Sequence, residues 1–344
     1  MGCMTTKPAF VESNYERSFK ITERPEEEEE SKEDFREDGD TFLPATYNPP
    51  IKTRKYVQLQ QEYETHSPKG KEMVPLTQTP EIRNPVVREL LEKLGDYIYR
   101  NEKEDLSIPY LQPYKLPGGE IYIGQWKDGM RHGNGKQLWP DGKIYEGTWH
   151  ENAIKGTGRM IYPNGDMYEG AWLENQQHGI GTFTYYSGAS YTGEFVFGQK
   201  HGKGTEKIPG VFKYEGDYSL GCKHGAGKMV FNDGRVYTGQ FQNDRFHGTG
   251  EMIGDNGNQY RGEWKNDLKD GVGTETSAGV QYEGMFKNDK RHGEGVLTLP
   301  DGNQYKCTWD NGKPNKVRKI LSDQREIDFE LTEKSPLWVH FFNC

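Results

Sequence analysis

A tyrosine recurs every 23 residues through the second half of this 344-residue chain. One step, from Tyr260 to Tyr282, is 22 residues long. The nine tyrosines are Tyr122, Tyr145, Tyr168, Tyr191, Tyr214, Tyr237, Tyr260, Tyr282 and Tyr305. A fixed period between about twenty and fifty residues is typical of a repeat array, whose units pack on their neighbours. The period therefore predicts one elongated architecture for most of the chain, with no obvious pocket for chemistry.

Each repeat begins with a short alternating segment. In the first repeat, Tyr122, Gly124 and Trp126 fall on one face of a strand, and the residues between them fall on the other. The glycine leaves room for the two aromatic rings to lie over bare backbone. The fifth position is always aromatic: Trp126, Trp149, Trp172, Phe195, Tyr218, Phe241, Trp264, Phe286 and Trp309. These pairs predict a core of aromatic rings, which fits a chain that is only 32% hydrophobic.

A second strand and a turn complete the repeat. A Gly-x-Gly pair, such as Gly133 and Gly135, opens another alternating run, and the repeat then closes on a turn such as Pro140-Asp141-Gly142. Glycine accepts the positive φ of a tight turn, and proline presets the backbone before it. Each repeat is therefore predicted to be one β-hairpin that a turn joins to the next.

In combination, these elements resemble the MORN family over residues 118–312, as eight full repeats and a ninth half-repeat. The resemblance implies an all-β fold, an elongated single-layer antiparallel sheet of successive hairpins. Lys155 and Asp270 replace the repeated histidine in repeats two and seven, and Cys307 replaces a glycine in repeat nine. We expect repeat nine to lack its second strand and to cap the array.

The flanking segments differ in composition from the array. The tail is acidic and rich in proline, with ten acidic and two basic residues in 26–40, and we expect it to be disordered alone. The final run 336–342 is apolar and either packs back on the sheet or anchors a partner. The predicted divisions are 1–83 for the tail, 84–100 for a capping helix, 101–117 for a linker, 118–312 for the array and 313–344 for a C-terminal extension.

The predicted helix has a clear start. Asn84 is a good N-cap, and Pro85 suits the first turn. An apolar stripe then extends to about Tyr99, through Val87, Leu90, Leu91, Leu94, Tyr97 and Ile98. The helix either covers the open first edge or face of the sheet or docks a partner, and the need of repeat arrays for caps favours the first interpretation.

Charge and cysteine spacing exclude several classes of protein. Residues 119–312 hold 21 Lys and Arg against 25 Asp and Glu, so no basic stripe favours nucleic acid or strong binding of the array to anionic lipid. No segment reaches the ~18 apolar residues of a membrane span, and no secretory signal is visible. The four cysteines, Cys3, Cys222, Cys307 and Cys344, indicate free thiols in a reducing cytosol.

The chain shows no constellation for catalysis, and we predict no cofactor and no metal. The repeated histidines, one hairpin apart, are too far apart for one ion, and we expect them to bond the hairpin backbone: His132, His178, His201, His224, His247 and His292. No Walker pattern completes the Gly-x-Gly pairs. We expect the glutamates of the second repeat position to form a solvated row: Glu146, Glu169, Glu215 and Glu283. Both flanks are too short for a catalytic domain.

The N-terminus matches a lipidation pattern. Gly2 would be exposed after removal of Met1 and would accept myristate, because Thr6 supplies the hydroxyl, and Cys3 would accept palmitate. Two acyl chains together give stable anchoring. The alternative is that the pattern arose by chance.

The resemblance implies a non-enzymatic structural scaffold and protein-interaction platform, cytoplasmic, in a ciliary axoneme (radial-spoke-like) or another cytoskeletal assembly. The expected partners are other proteins of a large assembly and, through the sheet, a second copy of the chain. The alternative is an adaptor that acylated Gly2 and Cys3 tether to the cytoplasmic face of a membrane, where it links membrane to cytoskeleton or recruits an enzyme in trans.

Overall fold

A computed structural model of the protein describes residues 73–99 and 107–330. Of these residues, 63% lie in strands, which form one open antiparallel sheet, and one short helix accompanies them. The prediction of an all-β hairpin array is therefore confirmed. Gly2, Cys3 and the run 336–342 lie outside the described residues.

Each strand pairs with the strands before and after it in the chain, so the sheet is a simple meander. The helix is α1 (Pro85–Leu94). The strands are β1 (Val74–Pro75), β2 (Tyr110–Lys115), β3 (Ile121–Lys127), β4 (Met130–Leu138), β5 (Ile144–His150), β6 (Ala153–Ile161), β7 (Met167–Leu173), β8 (Gln176–Thr184), β9 (Ser190–Val196), β10 (Gln199–Ile208), β11 (Phe212–Ser219), β12 (Cys222–Phe231), β13 (Val236–Gln242), β14 (Arg245–Ile253), β15 (Gln259–Lys265), β16 (Leu268–Ser277), β17 (Val280–Lys287), β18 (Lys290–Thr298), β19 (Gln304–Asp310), β20 (Lys313–Ile320) and β21 (Glu326–Asp328).

The periodic aromatic residues form one continuous ladder along one face of the sheet, which we call the ladder face. Tyr122 meets the ring of Trp126 in its own repeat at 5.1 Å between centroids, and that of Trp149 in the next repeat at 5.4 Å. Both contacts are edge-to-face, the arrangement that aromatic quadrupoles favour. The same two contacts recur along the array as far as Tyr282 and Trp309. Because the rings cover one another, all these side chains are buried in a single-layer sheet.

Each ladder tyrosine from Tyr122 to Tyr282 lies over a pair of glycines from neighbouring strands. In the third repeat, Gly170 pairs with Gly181, and a Cβ on Gly181 would lie 2.5 Å from Cζ of Tyr168. The strand bulges between Gly170 and Trp172, and the Tyr168 hydroxyl donates a hydrogen bond to the Ala171 carbonyl inside the bulge (2.9 Å). The two glycines are therefore needed for space, and the bulge gives the buried hydroxyl its acceptor.

Helix α1 begins as predicted and ends earlier. The Asn84 side chain accepts hydrogen bonds from the backbone N–H groups of Val86 and Val87 at 3.0 and 3.2 Å, which confirms the N-cap. The helix ends at Leu94 and not near residue 100, because Gly95 adopts a positive φ of 69° and its N–H bonds the Leu91 carbonyl. Residues 95–99 continue without helical structure.

The helix covers a face of the sheet and not its edge. Val87 is fully buried against Ile144 of β5 and Ile161 of β6. Their neighbours Tyr145 and Met160 belong to the ladder core, and successive strand residues point to opposite faces. Helix α1 therefore lies on the face opposite the ladder, which we call the helix face.

The sheet extends beyond both predicted ends of the array. The prediction that repeat nine lacks a second strand is wrong, because β20 pairs with β19 and places Val317 opposite Cys307. The strand forms without the Gly-x-Gly signature, and the Tyr305 ring there packs edge-to-face on Phe329 (5.3 Å). Strand β2 lies within the predicted linker, and β1 within the predicted tail.

Replacing Gly181 by alanine should destabilise the array. The new Cβ would force the Tyr168 ring out of the ladder, and overpacking of this kind costs roughly 1–3 kcal/mol. We expect a lower midpoint in thermal denaturation followed by circular dichroism. Gly221→Asn is the matched control, because Gly221 has a positive φ that asparagine tolerates and no atom of the residues that the structure describes lies within 4 Å of an added Cβ. Equal midpoints for the two variants would contradict the steric role of Gly181.

Candidate protein-interaction surface

Three rows of side chains cross the helix face from strand to strand, and the third contains the fourth repeat position and its partners, such as Thr148 and Asn134. The first, the charged row, contains directly paired residues of the second repeat position and their partners: Lys136, Glu146, Arg159, Glu169, Thr182, Thr192, Thr205, Glu215, Lys228, Thr238, Glu251, Arg261, Thr274, Glu283, Val296, Lys306 and Arg318. The second, the outer row, lies two residues away from the charged row on each strand, on the side of α1. It includes Leu138, Ile144 and Ile161, which lie under α1.

The beginning of the charged row is buried, contrary to expectation. Glu146 is only 6% exposed, and Arg159 donates to its carboxylate at 2.6 Å, while Lys136 binds its other oxygen at 2.9 Å. Arg159 also donates to the Gly95 carbonyl at the end of α1 (3.1 Å), and its guanidinium lies 5.4 Å from the Tyr97 ring centroid. The prediction of a solvated glutamate is wrong here, because residues 95–99 cover the ion pair.

Beyond the helix, the charged row faces solvent. Glu215 and Glu283 are exposed, as predicted, and Lys228 and Arg261 stand between them. Positive and negative side chains alternate, so the row has no field of a single sign. Such a surface suits a protein partner with its own pattern of charges better than a polyanion.

The ladder face holds two partly buried ion-pair triads, each with one carboxylate between two cations. Glu206 binds Lys200 of its own repeat and Lys223 of the next repeat, the second at 2.6 Å. Glu275 binds Lys269 in the same way at 2.5 Å and Arg291 of the next repeat at 3.0 Å. Burial alone would raise the pKa of both carboxyl groups, but the adjacent cations hold each pKa below its usual value of 4.5.

Sequence reasoning missed both triads, although a signal was present. Glu206 and Glu275 occupy the strand position that Met160 and Leu297 fill in other repeats, opposite a ladder tyrosine. In both cases a basic residue stands just before the repeated histidine position of the same and of the following repeat, a position that Asp270 fills in the repeat of Glu275. Comparison of repeats position by position would have paired these charges.

The fourth repeat position, predicted to lie on the face opposite the aromatic residues, closes the bulge in several repeats. The Gln125 side-chain oxygen accepts a hydrogen bond from the Asn134 backbone N–H (2.7 Å), and Thr148 and Gln240 do the same for Thr157 and Thr249. The preceding glycine has a positive φ in each case. Other repeats place Glu194 and Asp217 here, whereas Ala171 and Met285 have no group to accept this bond.

A second interaction that the sequence analysis missed joins each turn to the repeat before it. In the turn between β5 and β6, the Asn152 side chain accepts from the Arg131 backbone N–H (2.9 Å), and the Asn152 N–H donates to the Arg131 carbonyl (3.0 Å). The Asp244 turn bonds Lys223 in the same two ways. The signal was the recurrence of Asn or Asp at this turn position.

The repeated histidines do not converge on a site. Within residues 73–99 and 107–330, no group of three His, Cys, Asp or Glu side chains could hold a metal ion. Nδ1 of His292 accepts the Asn311 backbone N–H at 3.4 Å, as expected. Nδ1 of His178 and of His247 is buried and bonds no described group, so the expected backbone bond is not general.

Three features bear on the sequence predictions about membrane spans, cysteines and pockets. No helix in the described part of the chain has the length and apolar character needed to cross a membrane. Cys222 and Cys307 are free thiols, and burial raises the pKa of Cys307 to about 12. A depression of about 460 Å³ lies between the turns that contain Asn266 and Asn288, with Met285 and Asp270 in its lining.

Comparison with known families agrees with this geometry. The family model of the MORN repeat matches eight times, at residues 122–144, 145–167, 168–190, 191–209, 214–234, 237–259, 260–279 and 282–304. The matched boundaries fall at the ladder tyrosines. No curated protein matches the chain in sequence.

Among solved structures, similar chains include the TCP10 domain of Danio rerio CPAP in complex with a peptide of Danio rerio STIL, at 14% identity over 64% of this chain and 98% of that chain, with a TM-score of 0.29. The same domain without the peptide matches at 12% identity over 64% of this chain and 100% of that chain, with a TM-score of 0.32. The SAS-4 TCP domain of Drosophila melanogaster, in complex with a proline-rich motif of Ana2, matches at 14% identity over 62% of this chain and 98% of that chain, with a TM-score of 0.21. Similarity at these TM-scores supports no conclusion about this chain.

The Lys200–Glu206–Lys223 triad should make stability depend on pH. The pKa of Glu206 is lower in the folded chain than in the unfolded chain, so the unfolded state binds more protons as the pH falls below about 4.5. The stabilisation from the triad is therefore complete above that pH and is lost as the pH falls through the lowered pKa. We expect Glu206→Gln to lower the thermal midpoint at pH 7, and the difference from wild type to shrink in acid. The exposed Glu294→Gln is the control; a pH-independent difference for Glu206→Gln would contradict the prediction.

Proposed function

Because this chain belongs to the MORN-repeat family, we propose that it is a scaffold on which other proteins assemble. The MORN repeat is a non-catalytic unit that serves in interactions generally. The observation that carries the proposal is the helix face beyond β7, where one open sheet presents two regular rows of side chains to solvent. A partner of matching repeat or length can bind such rows over many strands.

The proposed role needs no chemistry from the chain itself. The buried polar groups that the structure describes on the ladder face, such as Glu206 and Glu275, bond cations of neighbouring repeats and stabilise the array. The exposed side chains of the helix face alternate in sign and form a binding surface. We therefore propose a non-enzymatic protein that acts through its surface.

The setting we propose is a ciliary axoneme, radial-spoke-like, or another cytoskeletal assembly, in the cytoplasm. The resemblance of the array to MORN-only scaffold proteins supports this setting. The partners would be other proteins of a large assembly and, through the sheet, a second copy of the chain. The nearly balanced charge of the array favours proteins over nucleic acid as partners.

The N-terminal sequence favours a second candidate. Acylated Gly2 and Cys3 would tether the array to the cytoplasmic face of a membrane, where it would link membrane to cytoskeleton or recruit an enzyme in trans. The pattern Met1-Gly2-Cys3 with Thr6 supports this candidate. Both residues lie outside the part of the chain that the structure describes.

Localisation separates the two candidates. The experiment compares a fluorescent fusion at the C-terminus of the wild type with Gly2→Ala and Cys3→Ala, before and after detergent extraction. We expect all three to remain on a detergent-resistant cytoskeleton or axoneme, because the array and not the lipid holds the protein there. A membrane signal that detergent removes, and that becomes diffuse in both variants, would replace the scaffold with the lipid-anchored adaptor.

A further inference from the structure

The outer row of the helix face contains a second apolar patch that matches the one under α1. The covered patch consists of Leu138, Ile144 and Ile161. Four repeats further along the chain, the same three repeat positions hold Val230, Val236 and Ile253, and these are again direct neighbours across β12, β13 and β14. We call these three residues the second patch.

The repeat itself does not demand apolar residues at these positions. Midway between the two patches, the equivalent residues are Thr184, Ser190 and Lys207. After the second patch, they are Thr276, Gln281 and Thr298. An apolar triplet therefore occurs at two places along the described row. Met167 extends the first triplet by one residue, and the row from Thr184 to Lys213 between the two patches is polar.

The two patches differ in whether they are covered. Ile144 and Ile161 are 1% and 0% exposed beneath α1. In the second patch, Val230 is 38% exposed, and Val236 and Ile253 are partly exposed. These three residues belong to neither hydrophobic cluster among the described residues. The first patch shows what this surface accommodates, which is one short amphipathic helix.

The turns beside the second patch leave room for such a helix. In the covered patch, Asn84 donates to the Pro163 carbonyl (3.1 Å), and Val86 approaches the turn glycine Gly165. The equivalent turn four repeats later keeps its glycine as Gly257, and no atom of the described residues lies within 4 Å of a Cβ built there. Within the described part of the chain, the position next to the turn glycine that Val86 takes at the covered patch is therefore open at the second patch.

The residue that contacts the end of α1 at the covered patch has an equivalent of opposite charge at the second patch, while Lys136 and its equivalent Lys228 carry the same charge. At the covered patch, Arg159 donates to the Gly95 carbonyl at the C-terminal end of α1 (3.1 Å). The equivalent residue at the second patch is Glu251, with Thr238 and Arg261 as its cross-strand neighbours. Neither Glu251 nor Arg261 forms an ion pair within the described residues. A helix end that carries a basic side chain complements Glu251, whereas a bare C-terminal carbonyl does not.

We propose that the second patch binds one short amphipathic helix of a partner protein, with a basic side chain at the end that contacts Glu251. The apolar stripe of that helix packs on Val230, Val236 and Ile253 as α1 packs on the first patch. This proposal rests on the scaffold function and names the kind of partner that the scaffold takes.

A labelled peptide tests the proposal on the full-length chain. The probe is a fluorescein-labelled peptide with the sequence of residues 81–99 and the substitution Gly95→Arg, which places a basic side chain over Glu251. We expect saturable binding in fluorescence anisotropy, and Val236→Lys should weaken it at least about tenfold because a buried valine contact is lost. Ser190→Lys is the matched control, since it adds the same charge at the same repeat position two repeats earlier, and it should leave the affinity unchanged.

Charge reversal gives the second test. Glu251→Arg should weaken binding of the arginine peptide and strengthen binding of a peptide with Gly95→Glu. Equal thermal midpoints for the protein variants establish that the fold is kept. Absence of saturable binding, or binding that Val236→Lys does not change, overturns the proposal; in the second case the peptide has bound elsewhere, for instance by displacing α1. Either failure would overturn only the helix-binding proposal, because the localisation experiment tests the scaffold function independently.

Discussion

The structure depends on a tyrosine ring that lies over two paired glycines. Tyr145 covers Gly147 and Gly158, donates its hydroxyl to the bulged backbone at Thr148, and meets the rings of Trp149 and Trp172 edge-on. One side chain thus fixes the bulge within its own repeat and the contact to the next. Each edge-to-face pair contributes about 0.5–1.5 kcal/mol beyond the area it buries. Because the contacts run from neighbour to neighbour, the array needs no second layer to form a core.

The position of the core on one face frees the other face to vary. Ile144, Ser190 and Val236 occupy the same repeat position on the helix face, yet their surroundings differ. Ile144 is buried under α1, Ser190 is a polar surface residue, and Val236 is apolar and partly exposed. All three lie on the face opposite the ladder, so we expect substitution there to change what the sheet can bind before it changes whether the sheet forms. Within the same 23-residue unit, the ladder positions therefore determine stability, and the helix-face positions are available for recognition.

Features that depend on local periodicity could be predicted from the sequence. The hairpins, the aromatic core and the Asn84 cap each follow from residues a few positions apart. The second strand of repeat nine could not, because Val317 stands opposite Cys307 where glycines mark the other repeats. The burial of Glu146 could not be predicted either, because it depends on where α1 packs on the sheet. A contact such as that of Glu206 with Lys223 can be predicted only when the register between neighbouring strands is known, and a single sequence does not give that register.

The two ion-pair triads show how the ladder accommodates buried charge. Each triad holds two cations and one carboxylate, so within the triad the cations exceed the carboxylates by one in a partly buried place, although Lys223 also lies 3.7 Å from Asp244. The ammonium of Lys200 lies 5.0 Å from the Tyr191 ring centroid, and that of Lys223 lies 5.4 Å from the centroid of Tyr214. The negative faces of aromatic rings attract cations most strongly where water is excluded. The rings that form the core therefore also solvate the excess charge, which is why a lysine–glutamate–lysine group can stand where other repeats carry methionine or leucine.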